Sequence, residues 1–144
     1  MHRQLALAAA LAAAGTLALA HAGVEDPDVM ARMHSMKDIA SANKAVGLML
    51  RGQAPFDPSV IAQSAKIIAV ESARIPVLFE SQADDPKSEA LPAIWENWAD
   101  FEAKAEAGVV AAEALGGVQR EAELAPAFNA VGKTCKACHT AYRE

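Results

Sequence analysis

The segment Cys135-Lys136-Ala137-Cys138-His139 governs the interpretation of this 144-residue chain. A Cys-x-x-Cys-His sequence is the attachment motif of a c-type haem. On a helix, the thiols of Cys135 and Cys138 lie on one face, where they can reach the vinyl groups along one edge of a porphyrin, and the next residue presents its imidazole to the iron. The motif therefore predicts one covalently attached haem c, with His139 as an axial ligand of the iron.

A Cys-x-x-Cys pair also occurs in thioredoxin-like redox proteins and in zinc sites. A thioredoxin-like fold needs strands around the motif, and the sequence shows no strand pattern. A zinc site needs further cysteines or histidines, and outside the motif and the N-terminal leader the chain offers only His34. Haem attachment is therefore the favoured interpretation.

The N-terminal residues have the pattern of a secretory signal peptide. Arg3 provides the positive charge, an Ala/Leu-rich run covers residues 5–20, and an A-x-A cleavage site ends at Ala22. The apolar run is shorter than the roughly 20 residues that span a bilayer, which favours a cleaved leader over a membrane anchor. We expect residues 1–22 to be removed and residues 23–144 to form a single periplasmic domain with no membrane attachment.

The charge pattern bears on the partners. The formal net charge is -5 at pH 7, which argues against nucleic acid as a partner. Lys37, Lys44, Lys133 and Lys136 are candidates for a ring of positive charge around the haem edge that steers an acidic redox partner protein. A charge pattern of this kind is also typical of a solvated helix face.

Two helices begin at recognisable signals. Asp26 and Asp57 are each followed by proline, and an N-cap residue with proline at the first helical position marks a helix start. The first helix is predicted to run to about Leu50, with Gly52 closing it. The second is predicted to fail near Pro76.

The remainder of the chain predicts a loop and two more helices. Residues 81–91 have no periodicity, which predicts a surface loop. An alanine-rich segment from residue 92 or 93 to residue 115 predicts a third helix. The fourth helix carries the haem motif as far as Arg143, and Pro126 implies either a late start or a kink near Ala122. Four helices without strands predict an all-α fold, an antiparallel four-helix bundle that buries its cofactor between facing helices.

Three segments resemble a known family. Residues 131–143, which contain the haem motif, resemble the C-terminal signature of the cytochrome c-prime family, the class II cytochromes c. Residues 51–57 are similar to the family's link between its first two helices, and residues 92–95 to its entry to the third. The resemblance covers residues 23–144 and implies an antiparallel four-helix bundle, in agreement with the helix count.

The resemblance also bears on the second axial ligand. Its register implies that Met36 faces the distal side of the haem. High-spin members of the family have an apolar, non-ligating residue at this position, and their five-coordinate iron binds small gases such as NO or CO. Low-spin members of the cytochrome c-556 type have methionine there and a six-coordinate iron. Residues 32–37 look like the second type, which implies Met36 as the sixth iron ligand.

Spacing alone does not select that methionine. Met30, Met33, Met36 and Met49 all lie on the first predicted helix, and methionine commonly fills gaps in a core. Met33 is the main alternative ligand. His34 lies on a different helix face from Met36 and is expected to be solvated.

The resemblance implies roles for two arginines. Arg32 matches a family arginine close to a haem propionate, where it would form a charge-assisted pair. Arg143 matches a basic residue beside the proximal imidazole, where it would tune the hydrogen bonding of that ligand. An exposed, unpartnered arginine is the alternative for Arg32, and a charge complementing the helix dipole is the alternative for Arg143. Trp95, Trp98 and Phe101 are expected to be ordinary core.

These observations predict a periplasmic monohaem electron carrier that is not an enzyme. His/Met ligation raises the reduction potential relative to His/His and leaves no open iron position for a substrate. The alternatives are a high-spin, gas-binding cytochrome c-prime and a haem-bearing subunit or sensor that acts through a partner. The resemblance implies either a monomer or a homodimer.

Overall fold

Residues 23–144, which the computed structural model describes, form five α-helices and no β-strand. The helices are α1 (Pro27–Leu50), α2 (Pro58–Leu78), α3 (Ala93–Glu96), α4 (Trp98–Gly116) and α5 (Glu121–Tyr142). The all-α prediction is confirmed. The predicted signal peptide, residues 1–22, lies outside the described residues.

Both Asp-Pro pairs start helices as predicted. The Asp26 carboxylate accepts hydrogen bonds from the backbone amides of Asp28 and Val29 at 2.8 and 3.0 Å, which satisfies two of the free N–H groups of α1. Asp57 caps α2 in the same way. At the other end of α1, Gly52 has a φ of 65°, a left-handed conformation that suits glycine and ends the helix.

The predicted single third helix is wrong, because the chain breaks at Asn97 into the short α3 and the long α4. Asn97 has φ -126° and ψ 44°, and both its backbone N–H and its side-chain amide donate to the carbonyl of Ala93, at 3.0 and 3.1 Å. This local capping competes with continuation of the helix. The Trp95 indole donates to the carbonyl of Phe79 at 2.7 Å and so bonds α3 to the C-terminal end of α2.

The two internal prolines are accommodated near helix ends. Helix α2 continues two residues beyond Pro76 to Leu78, close to its predicted end. Helix α5 begins at Glu121, five residues before Pro126, so a late start is the wrong alternative. The Glu123 carboxylate accepts from the backbone amide of Arg120 at 3.2 Å and stabilises this early start.

The packing leaves one side of the bundle open. Helix α1 packs along α2, α2 along α4, and α4 along α5, whereas α1 and α5 make few contacts with each other. Short links between α1 and α2 and between α4 and α5 make those neighbours antiparallel. None of the helices in residues 23–144 combines the length and the apolar character that a bilayer-spanning segment needs.

The core divides into two clusters along the bundle. One contains buried aliphatic residues from α1, α2, α4 and α5, including Val46, Ile61 and Leu115. The other is more aromatic and lies towards α3 and the end of α5, with Phe79, Phe101 and Tyr142 among its members. Met36 packs against both clusters. Met36 of α1 thus lies where the two clusters meet.

A buried hydroxyl on α1 gives a test of this packing. Ser35 is 2% exposed, and its hydroxyl has no hydrogen-bond partner among the described residues. We expect Ser35→Ala to raise the free energy of unfolding by about 1 kcal/mol, because it removes a buried polar group that makes no hydrogen bond. Denaturant unfolding of the purified protein measures this change.

Ser41→Ala is the matched control, because Ser41 is an exposed serine on the same helix whose hydroxyl donates to the carbonyl of Lys37 at 2.9 Å. Both variants gain the helix propensity of alanine, but only Ser35→Ala removes a buried hydroxyl without a partner, so we expect the larger gain in Ser35→Ala. Equal changes in the two variants would contradict the prediction.

Candidate haem-binding site

A cavity of about 480 Å³ occupies the gap between α1 and α5. This volume is typical of small-molecule and cofactor sites. All six predicted site residues line it: Arg32, Met36, Cys135, Cys138, His139 and Arg143. The side chains of Ile75, Ile94 and Phe101 contribute apolar wall, so Phe101, expected as ordinary core, is also part of the site.

The α5 wall carries the attachment motif. Cys135 and Cys138 are half-buried free thiols, spaced so that both line the cavity. Burial raises the pKa of each thiol. Partial burial lowers the pKa of His139, and the nearby Arg143 cation lowers it further. These effects favour the neutral imidazole, which is the form that binds a metal.

The α1 wall carries two of the candidate methionines. Met33 and Met36 both line the cavity, whereas Met30 and Met49 do not. Met36 is half-buried and packs against both core clusters, and Met33 belongs to neither cluster. His34 is exposed and lies outside the cavity wall. Of the methionines on α1, Met36 and Met33 are therefore the two whose side chains lie at the cavity, and ligation by Met36 remains a prediction.

Arg32 is buried, with 4% exposure, so the alternative of an exposed arginine is wrong. Its guanidinium donates to the carbonyls of Leu78, Ala83 and Ser81 at 2.9, 3.0 and 2.6 Å. It also lies over the ring of Phe79, 4.5 Å from the ring centre. Burial lowers the pKa of Arg32, although a guanidinium remains protonated. Its pairing with a propionate stays a prediction, for which two of its five N–H groups remain.

Arg143 lies at the edge of the cavity and forms an ion pair with Glu89, a partner that the sequence did not predict. Its backbone N–H donates to the carbonyl of His139 at 3.1 Å. The positive charge of Arg143 lowers the pKa of His139. Its predicted tuning of the hydrogen bonding of that imidazole remains a prediction.

Sequence reasoning missed Tyr142 and Asp100. The Tyr142 hydroxyl donates to the Asp100 carboxylate at 2.5 Å, which joins the end of α5 to the start of α4. This bond raises the pKa of Tyr142 to about 12 and lowers the pKa of Asp100. The sequence feature that could have indicated a role for Tyr142 is its position, since it is the chain's only tyrosine and lies three residues after His139.

The donor set and the walls of the cavity fit a covalently bound haem. Two thiols and an imidazole line the α5 side, thioethers line the α1 side, and apolar side chains lie between them. Neutral nitrogen and sulfur donors are the axial ligands of c-type haem iron. Residues 23–144 contain no cluster of three or more His, Cys, Asp or Glu side chains that could hold a separate metal ion.

Comparison with known proteins identifies the class. Residues 28–143 match the family model described as Cytochrome C', and the chain therefore belongs to the cytochrome c' family. The resemblance to class II cytochromes c and the prediction of haem c are both confirmed.

Individual relatives carry two kinds of name. Cytochrome c' of Rhodopseudomonas palustris is 35% identical over 125 residues, covering 83% of this chain and 84% of the relative. A solved cytochrome c' from that organism aligns with a TM-score of 0.77 at 32% identity, over 83% of this chain and 98% of that chain. Cytochrome c-556 of Agrobacterium tumefaciens is 35% identical over 115 residues, covering 78% of this chain and 91% of the relative.

A further solved relative is a nitric oxide complex of a mutant cytochrome c' from Alcaligenes xylosoxidans. It aligns with a TM-score of 0.72 at 28% identity, over 81% of this chain and 94% of that chain. Since relatives named c' and c-556 are equally similar, the comparisons leave the sixth iron ligand open.

The Tyr142–Asp100 hydrogen bond gives a pH prediction. Because the folded-state pKa of Asp100 is lowered, its stabilising contribution is present above the unfolded pKa and is lost as pH falls through the folded pKa. We expect Tyr142→Phe to raise the pKa of Asp100 towards its ordinary value, as measured by NMR titration of the carboxyl carbon.

Asp57 is the internal control, because its lowered pKa comes from hydrogen bonds donated by Ser59 and Val60. Its titration should stay unchanged in Tyr142→Phe. An unchanged Asp100 titration would show that Lys104, its other partner at 3.3 Å, accounts for the lowered pKa.

Proposed function

We propose that this chain is a periplasmic monohaem electron carrier of the cytochrome c-556 type, with His139 and Met36 as the two axial ligands. Membership of the cytochrome c' family rests on the match over residues 28–143. One observation supports the assignment of the two axial ligands: Met36 of α1 lines the same cavity as His139 of α5. Residues 1–22 would act as the cleaved signal for export.

The residues of the site have distinct tasks in this proposal. A bound haem supplies the one-electron couple of its iron. Cys135 and Cys138 hold the porphyrin edge to α5, so that His139 is presented at a constant position. The soft thioether of Met36 favours the ferrous state and raises the reduction potential. With both axial positions filled there is none for a substrate, and we therefore assign no catalytic residue.

A gas-binding function is the alternative, and a relative supports it, since a mutant cytochrome c' of Alcaligenes xylosoxidans is solved as a nitric oxide complex. In that function Met36 would only line the distal wall, and His139 would be the sole axial ligand. The two functions predict different spin states for the ferric protein.

The Met36→Ala variant tests the ligand. We expect the wild type to be low-spin in both oxidation states and to show the near-infrared sulfur-to-iron charge-transfer band. Met36→Ala should lose that band, become high-spin in the ferric form, and bind carbon monoxide at least ~10-fold faster when reduced, because the open site is then always populated. Absorption spectra and stopped-flow mixing measure these changes.

Met33→Ala is the matched control, because Met33 lines the same cavity from the same helix. It should keep the charge-transfer band. Loss of the band in Met33→Ala alone would assign Met33 as the ligand. A high-spin ferric wild type that binds carbon monoxide rapidly would refute the carrier function.

The partner side of the proposal rests on four lysines. Lys37 and Lys44 are exposed on α1 and flank Ala40 of the cavity wall. On α5, Lys133 is exposed just before the haem motif and Lys136 is exposed within it. None of the four forms an ion pair within residues 23–144. A positive rim on a chain of net charge -5 favours an acidic surface on the redox partner protein.

Small redox reagents test this rim without a known partner. We expect Lys136→Glu to slow oxidation of the reduced protein by anionic ferricyanide by about threefold at low ionic strength, because it removes local attraction. It should speed oxidation by the cationic tris(phenanthroline)cobalt(III) complex. Lys66→Glu changes the net charge equally at an exposed site on α2 and should have a smaller effect. Equal effects of the two variants would refute a local role for the rim.

A further inference from the structure

The segment 79–92, which connects α2 to α3, forms part of the cavity wall without regular secondary structure. Phe79 and residues 87–90 line the cavity. Irregular segments are ordinarily mobile, because few backbone hydrogen bonds hold them. The hydrogen bonds that do hold this segment therefore determine the shape of that wall.

Arg32 holds the segment from α1. Its guanidinium donates to three backbone carbonyls, those of Leu78, Ser81 and Ala83, so one side chain binds the end of α2 and the first turn of the segment together. The same guanidinium lies over the Phe79 ring and 5.7 Å from the centre of the Trp95 ring. The three hydrogen bonds to carbonyls require the planar, divergent N–H donors of a guanidinium, which lysine lacks.

Asp85 makes the reciprocal contact from the segment to the start of α1. One of its carboxylate oxygens accepts from the backbone amides of Glu25 and Asp26 at 2.8 and 3.2 Å, and the other accepts from the amide of Lys87 at 2.8 Å. Asp85 is 6% exposed, and these bonds lower its pKa. The side chain of Arg32 on α1 thus binds the backbone of the segment, and the side chain of Asp85 in the segment binds the backbone at the start of α1.

The far end of the segment is bonded to α5. The Leu91 amide donates to the carbonyl of Tyr142, and the Glu144 amide donates to the carbonyl of Glu89, each at 3.0 Å. The segment therefore bridges the open side of the bundle, from the N-terminal half of α1 to the C-terminal end of the helix that carries the haem motif.

We propose that Arg32 is a positioning residue for the sixth iron ligand, acting through its three carbonyl contacts and not through its charge alone. Arg32 lies one helical turn before Met36, so the contacts hold that part of α1 at a constant distance from the cavity wall and from α5. This inference rests on the proposed function, because it takes Met36 as the ligand. Loosening the segment would allow α1 to move away and the thioether to dissociate.

Conservative and non-conservative replacements of Arg32 separate the effect of its three carbonyl contacts from the effect of its charge. Lys retains the positive charge but cannot make the three divergent contacts, so Arg32→Lys and Arg32→Gln should behave alike. In the haem-loaded protein, both should increase amide hydrogen exchange in residues 81–91 by about tenfold or more, since the contacts that close the segment are lost. Both should also weaken the sulfur-to-iron charge-transfer band.

Arg74→Lys is the matched control, because the Arg74 side chain is 54% exposed on α2 and, within residues 23–144, forms an ion pair only with Glu71 on the same helix. It should leave both the exchange and the band unchanged. Asp85→Asn provides an independent variant if the Arg32 variants yield no haem-loaded protein, and it should increase exchange in residues 81–91 and at the Glu25 and Asp26 amides.

The outcomes separate this inference from the proposed function. If Arg32→Lys matches the wild type while Arg32→Gln does not, charge alone suffices and the inference is wrong. If exchange increases in both variants while the band is unchanged, the segment does not position the ligand and the inference is again wrong. A wild type without the band, or a Met36→Ala variant that retains it, refutes Met36 ligation itself, whatever the exchange of the segment.

Discussion

The separation of α1 from α5 is the constraint on which the rest of this structure depends. The other neighbouring helices close on one another through apolar side chains, but the first and last long helices make few contacts. The haem motif on α5 and two methionines of α1, Met33 and Met36, face the space between them. A haem placed there buries a large apolar surface that the two helices leave uncovered, so the cofactor completes the fourth interface of the bundle.

Directional polar contacts hold the end of the bundle around that cavity. Arg32 and Asp85 connect α1 with the segment 79–92, and Tyr142 connects α5 with α4. Apolar packing permits small sliding movements between helices, whereas buried hydrogen bonds to charged groups are strong and require a narrow geometry. The proposed ligation of iron by residues of two helices, His139 and Met36, would need that restriction, because displacement of one helix would change the metal–sulfur bond.

Some elements could be predicted from the sequence because their causes are local. Asp26 and Asp57 start helices through contacts with residues two and three positions later, and Gly52 ends one through its own conformation. The break at Asn97 was missed, because an asparagine in an alanine-rich helical pattern is a weak signal until its side chain is seen to cap Ala93. The sequence also left open whether α5 begins before or after Pro126, since a proline is compatible with the first turns of a helix and with the residues that precede one.

The sequence by itself determined the class of cofactor and the helical fold, and the spacing within residues 135–139 predicts the residues that attach the porphyrin, because that spacing is a covalent requirement independent of the remaining chain. Only the tertiary structure decided that Met33 and Met36 alone, among the four methionines of α1, line the cavity, and that Arg32 binds the carbonyls of Leu78, Ser81 and Ala83. The physical reason is that backbone carbonyls are present at every residue and have no sequence signature, so their partners are defined only when distant segments pack together.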